Sequence, residues 1–174
     1  MKRADRLTVT MTIPWDGKDY RGSYLLHLIE KNNFKTIAEV GVKFGRTTFF
    51  LLDNVHDLVI HAVDLDISMF YNEEIKSKYK DRLIPIKGYS YNVADQLPNN
   101  SMDLIFIDAD HSYESVKKDI LAYTPKLKDN GILSGHDIDY PGVNKAVREL
   151  IKDFDVGPNN VWIKHKGNIW EYLH

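Results

Sequence analysis

The chain has 174 residues, 43% of them apolar and 28% charged, a size and composition that suit one soluble domain with a single sizeable core. Its 23 basic and 25 acidic residues leave a formal charge of −2, which argues against nucleic acid or an anionic membrane as the main partner. It has no cysteine, so disulfides and thiolate metal sites are excluded, and no signal peptide or membrane-spanning run is visible; the cytoplasm is the expected location.

Residues 1–20 are polar and irregular, with Pro14, Trp15 and Gly17, and read as an amino-terminal arm or lid. Residues 21–32 carry a helical stripe through Tyr24, Leu25, Leu28 and Ile29. Strands and helices then alternate. Strands are expected at 36–40, 58–64, 82–88, 103–108 and 131–135, and helices at 47–55, 67–79, 91–97, 112–122 and 143–154. The basic cluster 76–82 reads as a solvated helix face. The end of the chain reads as two strands, NVWIKH and NIWEYL, joined tightly at Lys166 and Gly167. Five βα units and a terminal antiparallel hairpin imply an α/β fold, a doubly wound, mostly parallel sheet of seven strands, in one domain over residues 1–174.

Three clusters stand where strands end. In EVGVKFGRTT, residues 39–48, Gly41 and Gly45 bracket the turn into the first sheet helix, whose amino terminus favours an anionic group that Thr47 can also bond. The pattern G-x-x-x-G does not meet the dinucleotide fingerprint G-x-G-x-x-G. Glu39, in an otherwise apolar strand, calls for a cationic partner, and a ligand ammonium group would serve. Asp64 ends the second strand 19 residues after Gly45, where a carboxylate can accept from both hydroxyls of a ribose; Asp66 lies further into the loop. The third cluster comprises Asp108, Asp110 and His111 after one apolar strand, and His136 and Asp137 after another. Carboxylates and imidazoles suit a hard or borderline divalent ion, and a histidine at neutral pH can act as a general base. Asp110 is the member best suited to capping the next helix, with Ser112 as its N-cap.

These segments resemble class I S-adenosylmethionine-dependent methyltransferases over residues 21–174, most closely the small metal-dependent O-methyltransferases. The resemblance implies a Rossmann-like methyltransferase fold. It assigns Glu39 to the methionine ammonium group, Gly41, Lys43 and Gly45 to the loop, Thr47 to the methionine carboxylate, Asp64 to the ribose and Ser90 to the adenine. It also implies a divalent ion (magnesium, manganese, calcium or zinc) on Asp108, His136 and Asp137, with Asp108 beside the cofactor as well. His111 and His136 become base candidates in methylation of a hydroxyl on a small sugar, glycan or phenolic acceptor, and self-association into a homo-oligomer is compatible with the family. Two positions depart from the family pattern: Lys43 replaces the commonest middle glycine, and His136 stands where an aspartate is more usual. Trp15, Tyr89, Tyr91 and Tyr140 can wall an acceptor site or simply pack.

Two other readings compete. A nucleotide-dependent oxidoreductase on a related fold lacks its glycine fingerprint here and does not account for the terminal hairpin. A non-catalytic module that binds S-adenosylmethionine does not need the histidine cluster.

Overall fold

The computed structural model describes residues 20–168. The arm, with Pro14, Trp15 and Gly17, lies outside them. Within them runs α1 (Tyr20–Asn32), then β1 (Thr36–Val40), α2 (Arg46–Asn54), β2 (Val59–Asp64), α3 (Glu73–Tyr79), β3 (Leu83–Lys87), α4 (Ser90–Val93), β4 (Met102–Ile107), α5 (Tyr113–Tyr123), β5 (Leu127–Gly135), α6 (Pro141–Leu150), β6 (Asp155–Val156) and β7 (Trp162–His165). No helix among the described residues is long and apolar enough to cross a membrane.

The seven strands form one sheet in the order β3-β2-β1-β4-β5-β7-β6. The first five are parallel, and β7 runs antiparallel to both β5 and β6. Strand residues alternate faces, which sorts the core into two layers. Ala38, Val40, Ile105, Ile107 and Leu133 pack with Val116, Ile120 and Tyr123 of α5 and Val143, Ala146 and Val147 of α6. Ile37, Ile60, Leu104, Phe106 and Ile132 pack on the other face with Leu25, Leu28 and Ile29 of α1 and Leu51 and Leu52 of α2. Both faces are covered, so the central strands are continuously apolar, as a parallel sheet requires.

Three local expectations need adjustment. The helix expected over 67–79 is a short 3₁₀ turn, Ile67–Met69, followed by α3, because Asn72 takes an extended backbone and caps Ile75 N with its side chain at 3.0 Å. The helix expected over 143–154 starts at Pro141, whose fixed φ suits a first turn, and stops at Leu150; Ile151 is extended and leads into β6. NVWIKH does form β7, but its antiparallel neighbours are β5 and β6. Residues 166–168 make a 3₁₀ turn, and the expected second hairpin strand lies outside the described residues. The basic cluster is a solvent-exposed face, as its spacing predicts, with Lys78 paired to Asp53.

Candidate active site

The strand order reverses between β1 and β4, the switch point at which open α/β sheets bind ligands beyond their carboxyl ends. A cleft of about 320 Å³ lies there, lined by residues that include Arg21, Glu39, Thr47, Asp108, His111, His136 and Asp137. Backbone bonds tie the strand ends together beyond the regular ladder: Asp108 N donates to Val40 O at 2.7 Å and His136 N to Ile107 O at 3.0 Å.

The glycine turn owes its residues to these close approaches. Gly41 has φ +91°, and a Cβ there would sit 2.2 Å from the Asp108 carbonyl oxygen, so the glycine lets the β1 and β4 ends meet. Lys43, in place of the usual middle glycine, adopts φ +55°, a left-handed conformation that explains the family's preference for glycine. Gly45 is the N-cap of α2 at φ +75°. Thr47 is buried on the cleft wall in the first turn of that helix. Glu39 is 4% exposed, and the buried Thr48 hydroxyl donates to its Oε2. Thr48 was not foreseen from the sequence; a hydroxyl in the first turn of α2, facing the strand that carries Glu39, is the signal.

Asp64 already organises this turn. Its Oδ2 accepts from Val42 N at 2.8 Å and Lys43 N at 2.7 Å, and its Oδ1 accepts from Asp66 N at 3.0 Å. A carboxylate offers about four acceptor sites, so among the described residues one stays open on Oδ1. Asp66 caps the 3₁₀ turn through Ser68, as a loop aspartate does. Ser90 begins α4 beyond β3, outside the cleft lining; its carbonyl accepts from the Tyr123 hydroxyl at 2.9 Å, and Gly88 N donates to Asp64 O at 3.0 Å, tying the two strand ends.

At the opposite side the acidic and imidazole groups converge. His111 Nε2 lies 3.0 Å from Asp137 Oδ2 and 3.9 Å from Asp108 Oδ1. His136 Nδ1 lies 3.0 Å from Asp137 Oδ1 and 3.6 Å from Asp108 Oδ1. Donor atoms of Asp108, His111 and Asp137 all fall within 4.8 Å of one another, a set of oxygens and nitrogen compatible with a divalent ion. Both His136 ring nitrogens are buried without a well-aligned hydrogen bond among the described residues. Burial disfavours the charged form of that ring, but the nearby Asp108 and Asp137 carboxylates outweigh it, so the His136 pKa is raised above that of an ordinary histidine; Arg21 opposes part of the rise. Asp137 holds φ +56°, a left-handed backbone tolerated by aspartate and often found at functional sites.

The other members fall around this centre. The Tyr140 ring lies 4.8 Å from that of His111 and is half exposed. Tyr89 and Tyr91 stack on each other at 6.3 Å near the start of α4. Asp110 is a capping residue, as expected, accepting from Ser112 N, the Ser112 hydroxyl and the Ser115 hydroxyl; these bonds, led by Ser115, hold its pKa below the usual carboxylate value.

Sequence reasoning missed Arg21. Its Nη1 donates to Asp108 Oδ2 at 2.5 Å from the first turn of α1. Position 21 lies one helical turn before Tyr24 and Leu25, on the line of the buried stripe, and a charge on that line is the signal.

A family model described as "Methyltransferase domain" matches residues 38–138, more than half of the chain. An uncharacterized protein of Acanthamoeba polyphaga mimivirus is 37% identical over 148 residues, an alignment that takes in 76% of this chain; the chain spans 66% of that protein's length, just under two thirds. Among solved structures, a Staphylococcus aureus protein provisionally named a caffeoyl-CoA O-methyltransferase superposes with a TM-score of 0.69 at 20% identity, covering 84% of this chain and 82% of its own. An SAH-bound methyltransferase of Podospora anserina superposes with a TM-score of 0.66 at 20% identity, covering 84% and 78%. At such identities these two likenesses establish a shared fold.

Proposed function

The chain belongs to the methyltransferase-domain family, and from that premise we propose that it moves a methyl group from S-adenosylmethionine to a hydroxyl oxygen of a small polar acceptor, a sugar or a phenol. The observation that carries this reading is the meeting of the glycine turn with the Asp108, His111, His136 and Asp137 cluster in one cleft. The O-methyltransferase name of the Staphylococcus aureus neighbour and the SAH-bound state of the Podospora anserina protein point the same way.

In this reading Glu39 receives the methionine ammonium group, and Thr47 at the start of α2 receives the methionine carboxylate, where the helix dipole favours it. The open acceptor site on Asp64 Oδ1 takes a ribose hydroxyl, while Asp64 Oδ2 keeps the Val42–Lys43 turn in place. Ser90, tied through Gly88 to the Asp64 strand end, lies on the adenine side.

The acceptor hydroxyl sits between the donor methyl group and the imidazoles. His111 takes its proton, with Asp137 at 3.0 Å to steady the imidazolium that forms. The acceptor oxygen then attacks the methyl carbon as the carbon–sulfur bond breaks, leaving S-adenosylhomocysteine and the methyl ether. Holding both reactants in one cleft supplies much of the acceleration. Asp108, His136 and Asp137 are the residues that would hold a divalent ion, which when bound lowers the pKa of a coordinated hydroxyl.

Turnover on a panel of sugar and phenolic acceptors, with and without EDTA, tests this reading. Methyl transfer to oxygen that chelation abolishes, with S-adenosylmethionine affinity largely spared, is the expected result. Full activity in excess chelator contradicts the role of the ion; transfer to nitrogen, carbon or sulfur alone contradicts the acceptor class.

A further inference from the structure

The closest ion pair in the cleft has no task in the transfer of the methyl group. Arg21 Nη1 sits 2.5 Å from Asp108 Oδ2, with the two side chains only 28% and 14% exposed, so the pair is shielded from water on most sides. Asp108 therefore works in two directions. One oxygen is held by the guanidinium, and the other faces His136 Nδ1 at 3.6 Å and His111 Nε2 at 3.9 Å.

This division has a consequence for any cation that uses Asp108. A guanidinium on Oδ2 withdraws negative charge from the carboxylate and places a fixed positive charge beside the donor set. A divalent ion arriving at Oδ1 meets an anion already neutralised by a neighbour, and it meets that neighbour's repulsion in a partly desolvated site. The charge cannot be shed by deprotonation, because a guanidinium stays protonated in proteins. Arg21 can only move away.

We propose that Arg21 is a competing cation for Asp108, which neutralises the carboxylate while no divalent ion is bound and which a bound ion must displace. Arg21 is thus a positioning residue that lowers the affinity of the site for metal and couples its occupancy to the first turn of α1, the element from which it projects. The proposal rests on the reading that Asp108, His136 and Asp137 hold a divalent ion.

Manganese(II) binding to the full chain, followed by calorimetry and by the loss of the free-ion electron paramagnetic resonance signal, tests it without reference to turnover. Arg21→Met keeps an apolar stem and removes the charge; it should bind manganese about tenfold more tightly than the wild type, within the usual range for two linked binding events. Arg21→Lys keeps a point charge but loses the planar fork, and should fall between the two; it also serves if the methionine variant does not fold. Equal or weaker manganese affinity in the folded variants overturns the competition while leaving the cation reading intact. Absence of manganese binding in wild type and variants alike overturns both.

Discussion

His111 shows how much a single residue's surroundings decide. It is 38% exposed, flanked by Tyr140 and 3.0 Å from Asp137, a setting in which an imidazole can reach both solvent and a bound hydroxyl. Replacing it with alanine should lower kcat by roughly a hundredfold to ten-thousandfold, the usual cost of a lost general base, and leave S-adenosylmethionine affinity nearly unchanged. Steady-state kinetics together with calorimetry check both halves, and near-normal kcat would pass the role to His136. At this scale the sequence was readable where charges stood at the ends of apolar strands. Asp108, His111, His136 and Asp137 stand at strand ends, where burial of charge signals a use, and Asp110 stood out as a cap for the opposite reason, its position inside a turn. Arg21 escaped notice because it gains its meaning from a partner far along the chain, Asp108, 87 residues away; Thr48 did because its partner Glu39 is brought to it only by the turn from β1 into α2.

Among the elements, α5 carries a charge that its packing does not welcome. Asp119 falls on the buried line of Val116, Ile120 and Tyr123, is fully buried, and has neither carboxylate oxygen in a well-aligned hydrogen bond among the described residues. Burial pushes its pKa up to about 6, the nearby Ser90 hydroxyl offsets part of that, and the Asp110 charge adds to it. The folded-state pKa lies above the ordinary aspartate value of 3.8, so this group's contribution to stability is fully present below that value and is lost as pH rises through about 6. Asp119→Asn removes the titration. The variant should therefore gain on the order of 2 kcal/mol relative to wild type between pH 4 and pH 7, which denaturant unfolding at several pH values measures. A constant difference across that range contradicts the assignment. Helical periodicity made α1, α2, α5 and α6 visible, while the broken element over 67–79 was not, because the choice of Asn72 as a cap competes with an apolar pattern that continues across it.

For the whole molecule, the alternation of five strand and helix units was sufficient to expect a doubly wound sheet, while the order β3-β2-β1-β4-β5 came only from the structure. The remaining strands were less legible, since pairing at the sheet edge is settled by contacts distant in sequence. β5 runs from Leu127 with a register shift opposite Met102–Leu104, and the two-residue β6 offers no periodic pattern of its own. The same topology places the Asp64 strand end beside the glycine turn and the Asp108 end beyond it, and in the proposed reading this brings both reactants to one cleft. Calorimetric titration of the full chain with S-adenosylmethionine and with NAD tests that central claim most directly. S-adenosylmethionine should bind saturably at one site and NAD should not, and Asp64→Ala should weaken binding by about 1.5 to 3 kcal/mol, the scale of hydrogen bonds to a charged group. Saturable binding of NAD, no binding of S-adenosylmethionine, or an affinity unchanged in Asp64→Ala would contradict the account.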